Sequence, residues 1–174
     1  MPTYLSLGSN LGDRARNLSL ATMRLALAPG LELVRISSVY ETAPWGDDDQ
    51  PPFLNLVLAV RTTLTTHELL RFAKALETDL GRTPTRHWGP RVADVDILLH
   101  GDIRVATPDL VVPHAHIAER QFVLVPLAEI APEVEVAPGV TAGHLARPGG
   151  DEVRRVGTLL DALKGERAGV VGRP

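Results

Sequence analysis

The stretch His87-Trp88-Gly89-Pro90-Arg91-Val92-Ala93-Asp94-Val95-Asp96-Ile97-Leu98-Leu99 holds an aromatic ring, an arginine and two carboxylates, and it runs out into apolar sequence. Side chains alternate along a strand, so Asp94 and Asp96 share a face if 92–99 is extended, with Cα atoms roughly 6.5–7 Å apart. Two carboxylates that close repel unless a cation sits beside them. Aspartate oxygens are usual ligands for Mg²⁺, which completes its shell with phosphate oxygens and water. Arg91 stands three residues upstream and is suited to clamping phosphate. Trp88 offers a flat face to a flat ring. A bare Asp-x-Asp is more often a strand end with two solvated aspartates. Trp, Gly-Pro and Arg at fixed offsets shift the balance towards a metal–phosphate site.

The chain around this stretch has 174 residues and is 44% hydrophobic, enough for one domain with a core and a tail. Its net charge of −3 predicts no general attraction to nucleic acid or anionic membrane. Without cysteine there are no disulfides, thiolate nucleophiles or cysteine-based zinc sites. The N-terminus lacks the parts of a signal peptide, and no apolar run approaches the ~20 residues of a membrane helix. The expectation is a cytoplasmic protein. Sixteen arginines stand against two lysines, Lys74 and Lys164, a bias that genome base composition also produces. Neither lysine follows a glycine-rich loop, and no Gly-x-Gly-x-x-Gly occurs. Any phosphate must be held by arginine, metal or histidine.

The elements that position these groups follow from periodicity. Tyr4 to Leu7 reads as a strand stopped by Gly8-Ser9-Asn10-Leu11-Gly12. Asp13 caps a helix over about 14–28, ended by Pro29-Gly30. Leu31 to Tyr40 alternates as a strand, and Phe53 to Thr62 is apolar enough for a central one. Thr65-Thr66-His67-Glu68 has the capping-box pattern and starts a helix that stops at Gly81. Val92 to His100 is the next strand. This β-α-β-β-α-β order predicts an α+β, ferredoxin-like fold: a four-stranded antiparallel sheet with two helices on one face. The loops 41–52 and 82–91 are long enough to suggest function. Pro113-His114-Ala115-His116 reads as a turn and Phe122 to Ile130 as a helix. A last helix is expected at about 152–163, then a frayed tail. The division expected is one domain over 1–145 and a C-terminal extension over 146–174.

The motifs form an ordered set: Gly8-Ser9-Asn10, Tyr40-Glu41-Thr42-Ala43-Pro44, Asp49-Gln50-Pro51, Phe53-Leu54-Asn55, Gly81-Arg82, Trp88-Gly89-Pro90-Arg91, Asp94-Val95-Asp96-Ile97, Pro113-His114, Arg120-Gln121-Phe122 and Pro126-Leu127. Together, from Tyr4 to about Pro132, they resemble the 6-hydroxymethyl-7,8-dihydropterin pyrophosphokinase family of folate biosynthesis. The family's fold is the ferredoxin-like one read above. The resemblance implies transfer of the β,γ-diphosphate of ATP to the hydroxymethyl group of the pterin, with release of AMP. It implies two Mg²⁺ held by Asp94 and Asp96, with Arg82 and Arg91 as further catalytic groups. It implies a pterin slot of Thr42, Pro44, Trp45, Phe53, Asn55, Trp88 and Phe122. It implies nucleotide contacts from Lys74, Glu77, Arg82, Trp88, Arg91, Ile97, His114 and Arg120. A pterin is flat with donors and acceptors on its rim, so aromatic faces and one amide suit it.

The chain departs from the family pattern at four places. His87 replaces an arginine before the tryptophan, Pro84 stands where a second loop arginine is common, Asp109 replaces a basic residue, and Lys74 occupies a position often uncharged. These leave open which arginines meet the triphosphate. Asp47-Asp48-Asp49 and the His114/His116 pair are assigned no metal. The expected partners are small molecules alone, ATP and the pterin, with a monomeric and monofunctional protein. A non-catalytic ferredoxin-like ligand-binding module is the alternative, and a different metal-dependent nucleotide phosphotransferase a third reading. Clustered carboxylates argue against the module. Trp45, Phe53, Asn55 and Phe122 argue against the other phosphotransferase, because they suit a second flat heterocycle.

Overall fold

The structure, a computed structural model, describes residues 1–44, 49–82, 89–149 and 153–171. Trp45 and Trp88 lie outside the described residues, as do Arg86, His87 and most of the 82–91 loop. The chain runs β1 (Pro2–Ser9), α1 (Arg14–Ala26), β2 (Leu31–Ile36), β3 (Val39–Thr42), β4 (Phe53–Thr62), α2 (Thr66–Asp79) and β5 (Asp94–His100). There follow the hairpin β6 (Val105–Thr107) and β7 (Leu110–Val112), then α3 (Gln121–Ile130). A small hairpin of β8 (Glu135–Ala137) and β9 (Val140–Thr141) leads into α4 (Ala142–Leu145), β10 (Val153–Gly157) and α5 (Leu159–Val171). No helix is long and apolar enough to cross a membrane among the described residues.

The helix starts follow local chemistry. The Asp13 carboxylate accepts the Arg16 N–H at 2.9 Å. Thr65 and Glu68 form a reciprocal capping box at the head of α2, which satisfies donors that a helix start leaves open. Gly81 takes a φ of 93°, and the chain leaves α2 there.

The main sheet is antiparallel, in the order β10-β3-β4-β1-β5, with β2 also on β4. Its centre is the expected ferredoxin-like arrangement. The single strand expected over 31–40 is divided in two. Ile36 pairs with Leu58 and Tyr40 with Asn55, so four steps on one side face three on the other. The extra residue makes a bulge. The Ser38 N–H that leaves the ladder there donates to Glu129 of α3 at 2.8 Å, and the Tyr40 hydroxyl donates to the same carboxylate at 3.0 Å.

Period-two alternation divides the core. Leu54, Leu56, Leu58 and Val60 of β4 pack with Leu5, Leu7, Val95 and Ile97 against α1 and α2. Val57, Ala59 and Tyr4 face the other way and meet Val123, Leu124 and Leu127 of α3. Each fully buried leucine contributes about 1.5–3 kcal/mol to holding these layers.

The last segment corrects an expectation. Residues 153–157, expected to be helical, form an edge strand, and the helix starts later, at Leu159. Val153 is buried with Arg154 and Arg155 exposed, and pairing with β3 holds the segment extended. Thr158 and Asp161 then exchange hydrogen bonds, Thr158 N–H to Oδ2 at 2.9 Å and Asp161 N–H to Oγ1 at 3.2 Å, and so begin α5. Ala162 is buried in the α1–α2 core, with Leu159 and Leu163 packed against it.

Candidate active site

The site lies on the α3 face of the sheet, where β1 ends and β4 and β5 begin. One row runs straight across the strands: Tyr40 pairs with Asn55, Asn55 with Gly8, and Gly8 with Asp94. Thr42 pairs with Phe53 to one side of it, and Ser6 pairs with Asp96 to the other. Side chains in register share a face, so Thr42, Phe53, Asn55, Asp94 and Asp96 converge on one cavity. The cavity is also lined by Ala43, Arg91, Arg120 and Phe122. Gly8 keeps its floor bare, since a Cβ there would stand 2.9 Å from Asn55 Oδ1. The Asn55 amide is 4% exposed and donates to Thr42 Oγ1 at 2.8 Å, which sets its orientation. Phe122 enters from the start of α3, with the Arg120 guanidinium over its ring at 5.6 Å.

The two aspartates differ in company. Asp94 accepts from Arg82 at 3.1 Å and forms a close ion pair with Arg91. Asp96 has the Arg120 guanidinium at 3.9 Å, the limit of an ion pair. Burial, and then the Asp94 charge beside it, push Asp96 up to about 6. A carboxylate so raised gains from a divalent cation. Both donors are hard oxygens, which fits Mg²⁺. No cluster of three or more His, Asp or Glu that could hold a metal occurs among the described residues. Two carboxylates alone leave most of a magnesium shell to substrate oxygens and water.

Behind Asp94 lies a buried anchor. Glu77 of α2 is 1% exposed and accepts the Val95 N–H at 2.8 Å. It also holds Lys74 Nζ, 3.1 Å from each oxygen, and makes a close ion pair with Arg82. Its carboxylate therefore faces the joint between α2 and β5 and sets the start of the Asp94 strand. Lys74 reaches the surface beside it.

A second cavity adjoins the first, and Asp96 lines both. Its walls include Lys74, Ile97, Asp109 and His114. The Thr107 hydroxyl lowers Asp109, leaving a carboxylate at this wall. His114 is fixed by its N–H, which donates to Leu98 O at 2.9 Å. Its Nδ1 stands 3.2 Å from the His116 N and its Nε2 3.4 Å from Arg120 Nη1, so two donors compete for the one accepting nitrogen of a neutral ring. Burial first, then Arg120 and His116, push His114 down to about 4, so it is neutral at pH 7.

The structure thus gathers Thr42, Phe53, Asn55, Phe122, Arg91, Arg120, Asp94 and Asp96 at one cavity, and Lys74, Ile97 and His114 at its neighbour. Pro44 borders a further recess with Thr42 and Phe122. Asn10 is a residue whose part was not read from the sequence. It is 2% exposed and exchanges backbone and side-chain hydrogen bonds with Arg91, at 3.0 and 2.7 Å. Its amide also donates to Gln50 Oε1 at 2.9 Å and Pro51 O at 3.0 Å. One asparagine therefore ties the Arg91 side of the site to the approach to Phe53. Its sequence signal was its place in the Gly8-Ser9-Asn10 motif.

Comparison with known proteins identifies the family. Residues 4–132 match the model of the family 7,8-dihydro-6-hydroxymethylpterin-pyrophosphokinase (HPPK). A 2-amino-4-hydroxy-6-hydroxymethyldihydropteridine pyrophosphokinase of Methylorubrum extorquens is 46% identical over 164 residues, 94% of this chain and 96% of the relative. One of the same name from Bacillus subtilis is 46% identical over 132 residues, 76% of this chain and 79% of the relative. The crystal structure of Plasmodium falciparum HPPK-DHPS superposes with a TM-score of 0.67 at 16% identity, a likeness of fold. That alignment covers 83% of this chain and 41% of the longer one. With a family model spanning most of the chain and relatives this similar over most of their own length, the chain belongs to the 6-hydroxymethyl-7,8-dihydropterin pyrophosphokinase family, and it is a diphosphotransferase of folate biosynthesis.

Proposed function

We propose that the protein transfers the β,γ-diphosphate of ATP to the hydroxymethyl group of 6-hydroxymethyl-7,8-dihydropterin, giving AMP and the pterin diphosphate. The observation that carries the reading is the meeting of two cavities at Asp96. The pterin occupies the first, between Phe53 and Phe122. Asn55 reads its edge, and Thr42 and Pro44 lend backbone. ATP occupies the second, along Lys74, Ile97 and His114, with Arg120 at the junction. Both substrates are small molecules, and we take the protein to act as a cytoplasmic monomer.

Asp94 and Asp96 would hold two Mg²⁺, whose charge, when bound, neutralises the triphosphate and eases ionisation of the substrate hydroxyl. Arg82 and Arg91, which balance Asp94 in the ligand-free protein, turn to phosphate oxygens as the triphosphate arrives. The Glu77 carbonyl, which accepts the Arg82 backbone N–H at 3.0 Å, keeps the base of Arg82 in place during that exchange. His114 donates Nε2–H to phosphate as a neutral ring, which costs no protonation at pH 7. The hydroxyl oxygen bonds to the β-phosphorus, and the bond from that phosphorus to the bridging oxygen breaks. The electron pair leaves on AMP, and the hydroxyl proton passes to water. No covalent protein intermediate is needed, so catalysis is alignment and charge stabilisation.

The test is product identity. With ATP, Mg²⁺ and 6-hydroxymethyl-7,8-dihydropterin, chromatography is expected to show AMP and pterin diphosphate in equal amounts. ADP with a pterin monophosphate would replace this reading by a single-phosphoryl kinase. Binding of both ligands without turnover would favour a non-catalytic module.

A further inference from the structure

The family match ends at residue 132, yet the chain's last described segments reach the wall of the pterin-side cavity. β10 pairs with β3, placing Val153 opposite Thr42 and Arg154 opposite Glu41. On α5, Glu166 grips Arg14, the first residue of α1. Glu166 Oε1 accepts from Arg14 Nε at 2.7 Å, and Oε2 accepts the Arg14 backbone N–H at 3.1 Å. The Asp13 carboxylate caps the Arg16 N–H, and Glu166 adds a second negative group at this helix N-terminus. Held this way, Arg14 turns Nη1 outward. It donates to Pro52 O at 2.9 Å and to Glu41 Oε2 at 3.0 Å. Arg154 takes the other Glu41 oxygen at 2.6 Å.

Pro52 directly precedes Phe53, and Glu41 directly precedes Thr42. Phe53 and Thr42 face each other across the ladder, and Thr42 orients Asn55. A continuous set of hydrogen bonds therefore runs from α5 through Arg14 to both strand ends that carry the slot. Arg14 and Glu166 are 20% and 19% exposed. Two-point contact on a half-shielded carboxylate fixes direction as well as charge.

The geometry points to Glu166 as a positioning residue: through Arg14 it fixes the spacing of Thr42 and Phe53 and thereby tunes affinity for the pterin. This rests on the pterin assignment above. The experiment uses the full chain carrying Glu166→Ala, Glu166→Gln, Arg14→Ala or Glu166→Ala with Arg14→Ala. Calorimetry reads Kd for 6-hydroxymethyl-7,8-dihydropterin and separately for α,β-methylene-ATP, and thermal melting follows each variant. Glu166→Ala is expected to raise the pterin Kd by roughly threefold to tenfold while leaving the nucleotide Kd unchanged. The double variant is expected to add nothing to Arg14→Ala, because both act through one contact. Glu166→Gln keeps an acceptor for Nε and is expected to recover part of the loss. If Glu166→Ala fails to fold, the Glu166→Gln and Arg14→Ala pair carries the same comparison. Unchanged pterin affinity, equal losses for both ligands, or additive effects would overturn the assignment. Failure of the wild type to bind the pterin would instead remove the functional reading beneath it.

Discussion

Asp94 and Asp96 belong to the same strand face and carry the same charge, but removing them has opposite structural consequences. Asp94 answers two guanidinium groups. Its loss leaves Arg91 without that partner and costs stability on the order of 1 kcal/mol for a partly exposed pair. Asp96 is raised to about 6 because burial and Asp94 disfavour its charge, so its removal relieves repulsion. We expect Asp94→Ala and Asp96→Ala both to abolish turnover. In metal-free urea unfolding, Asp94→Ala is expected to be less stable than wild type and Asp96→Ala equal or more stable. Near-normal turnover by either variant with Mg²⁺ would remove the two-carboxylate assignment.

At the scale of elements, the sequence is legible wherever one local rule decides. The limits of β4 are those its apolar run indicates, and α2 begins at its capping box. Alternation in β5 puts both aspartates on one face with their partners on β1. It fails where a tertiary partner decides. Nothing within 31–40 announces the bulge at Ser37 and Ser38, because the group that satisfies Ser38 is Glu129, far along the chain. The strand over 153–157 is too short to declare itself without β3 beside it. The hairpin of β6 and β7 had a readable Pro108-Asp109 turn, but its strands have only three residues each. Among site residues, chemical type and spacing pointed to Asp94 and Asp96, while the family resemblance pointed to Asn55 and Phe122. Glu77 is different: its motif suggested a nucleotide neighbour, whereas its carboxylate is turned inside to Val95, Lys74 and Arg82. Sequence spacing does not report which way a helix residue turns when a cation and an open strand N–H compete for it.

For the whole molecule, the buried histidines set the acid side of the stability curve. His100 is fully buried, and neither ring nitrogen has a hydrogen-bond partner among the described residues. Burial, and then the N-terminal ammonium, lower it, and His114 is lowered to about 4. Above about pH 6.5 the folded and unfolded forms of both are neutral and contribute no slope. Below that, the unfolded chain takes up protons that the fold refuses, so stability falls as pH falls. Asp96 acts in the other direction below about 6, where the fold binds its proton more readily. Two lowered histidines against one raised aspartate leave a net loss of stability as pH falls below about 6.5. Urea unfolding in chelator between pH 7.5 and 5 is expected to show this decline, and His100→Phe to flatten it. A flat wild-type profile would mean that the histidines are charged in the fold.

The scarcity of lysine gives the nucleotide-side cavity a built-in chemical reporter. Lys74 lines that cavity with its ammonium held by Glu77, and Lys164 stands exposed on α5. The remaining amine is the N-terminus, which donates to Thr62 O at 2.9 Å. Amine-selective methylation followed by mass spectrometry therefore has one informative side chain and one internal standard. Bound ATP analogue is expected to protect Lys74 and leave Lys164 labelling at its free rate, so that occupancy of a single cavity is read directly from the mass of two peptides.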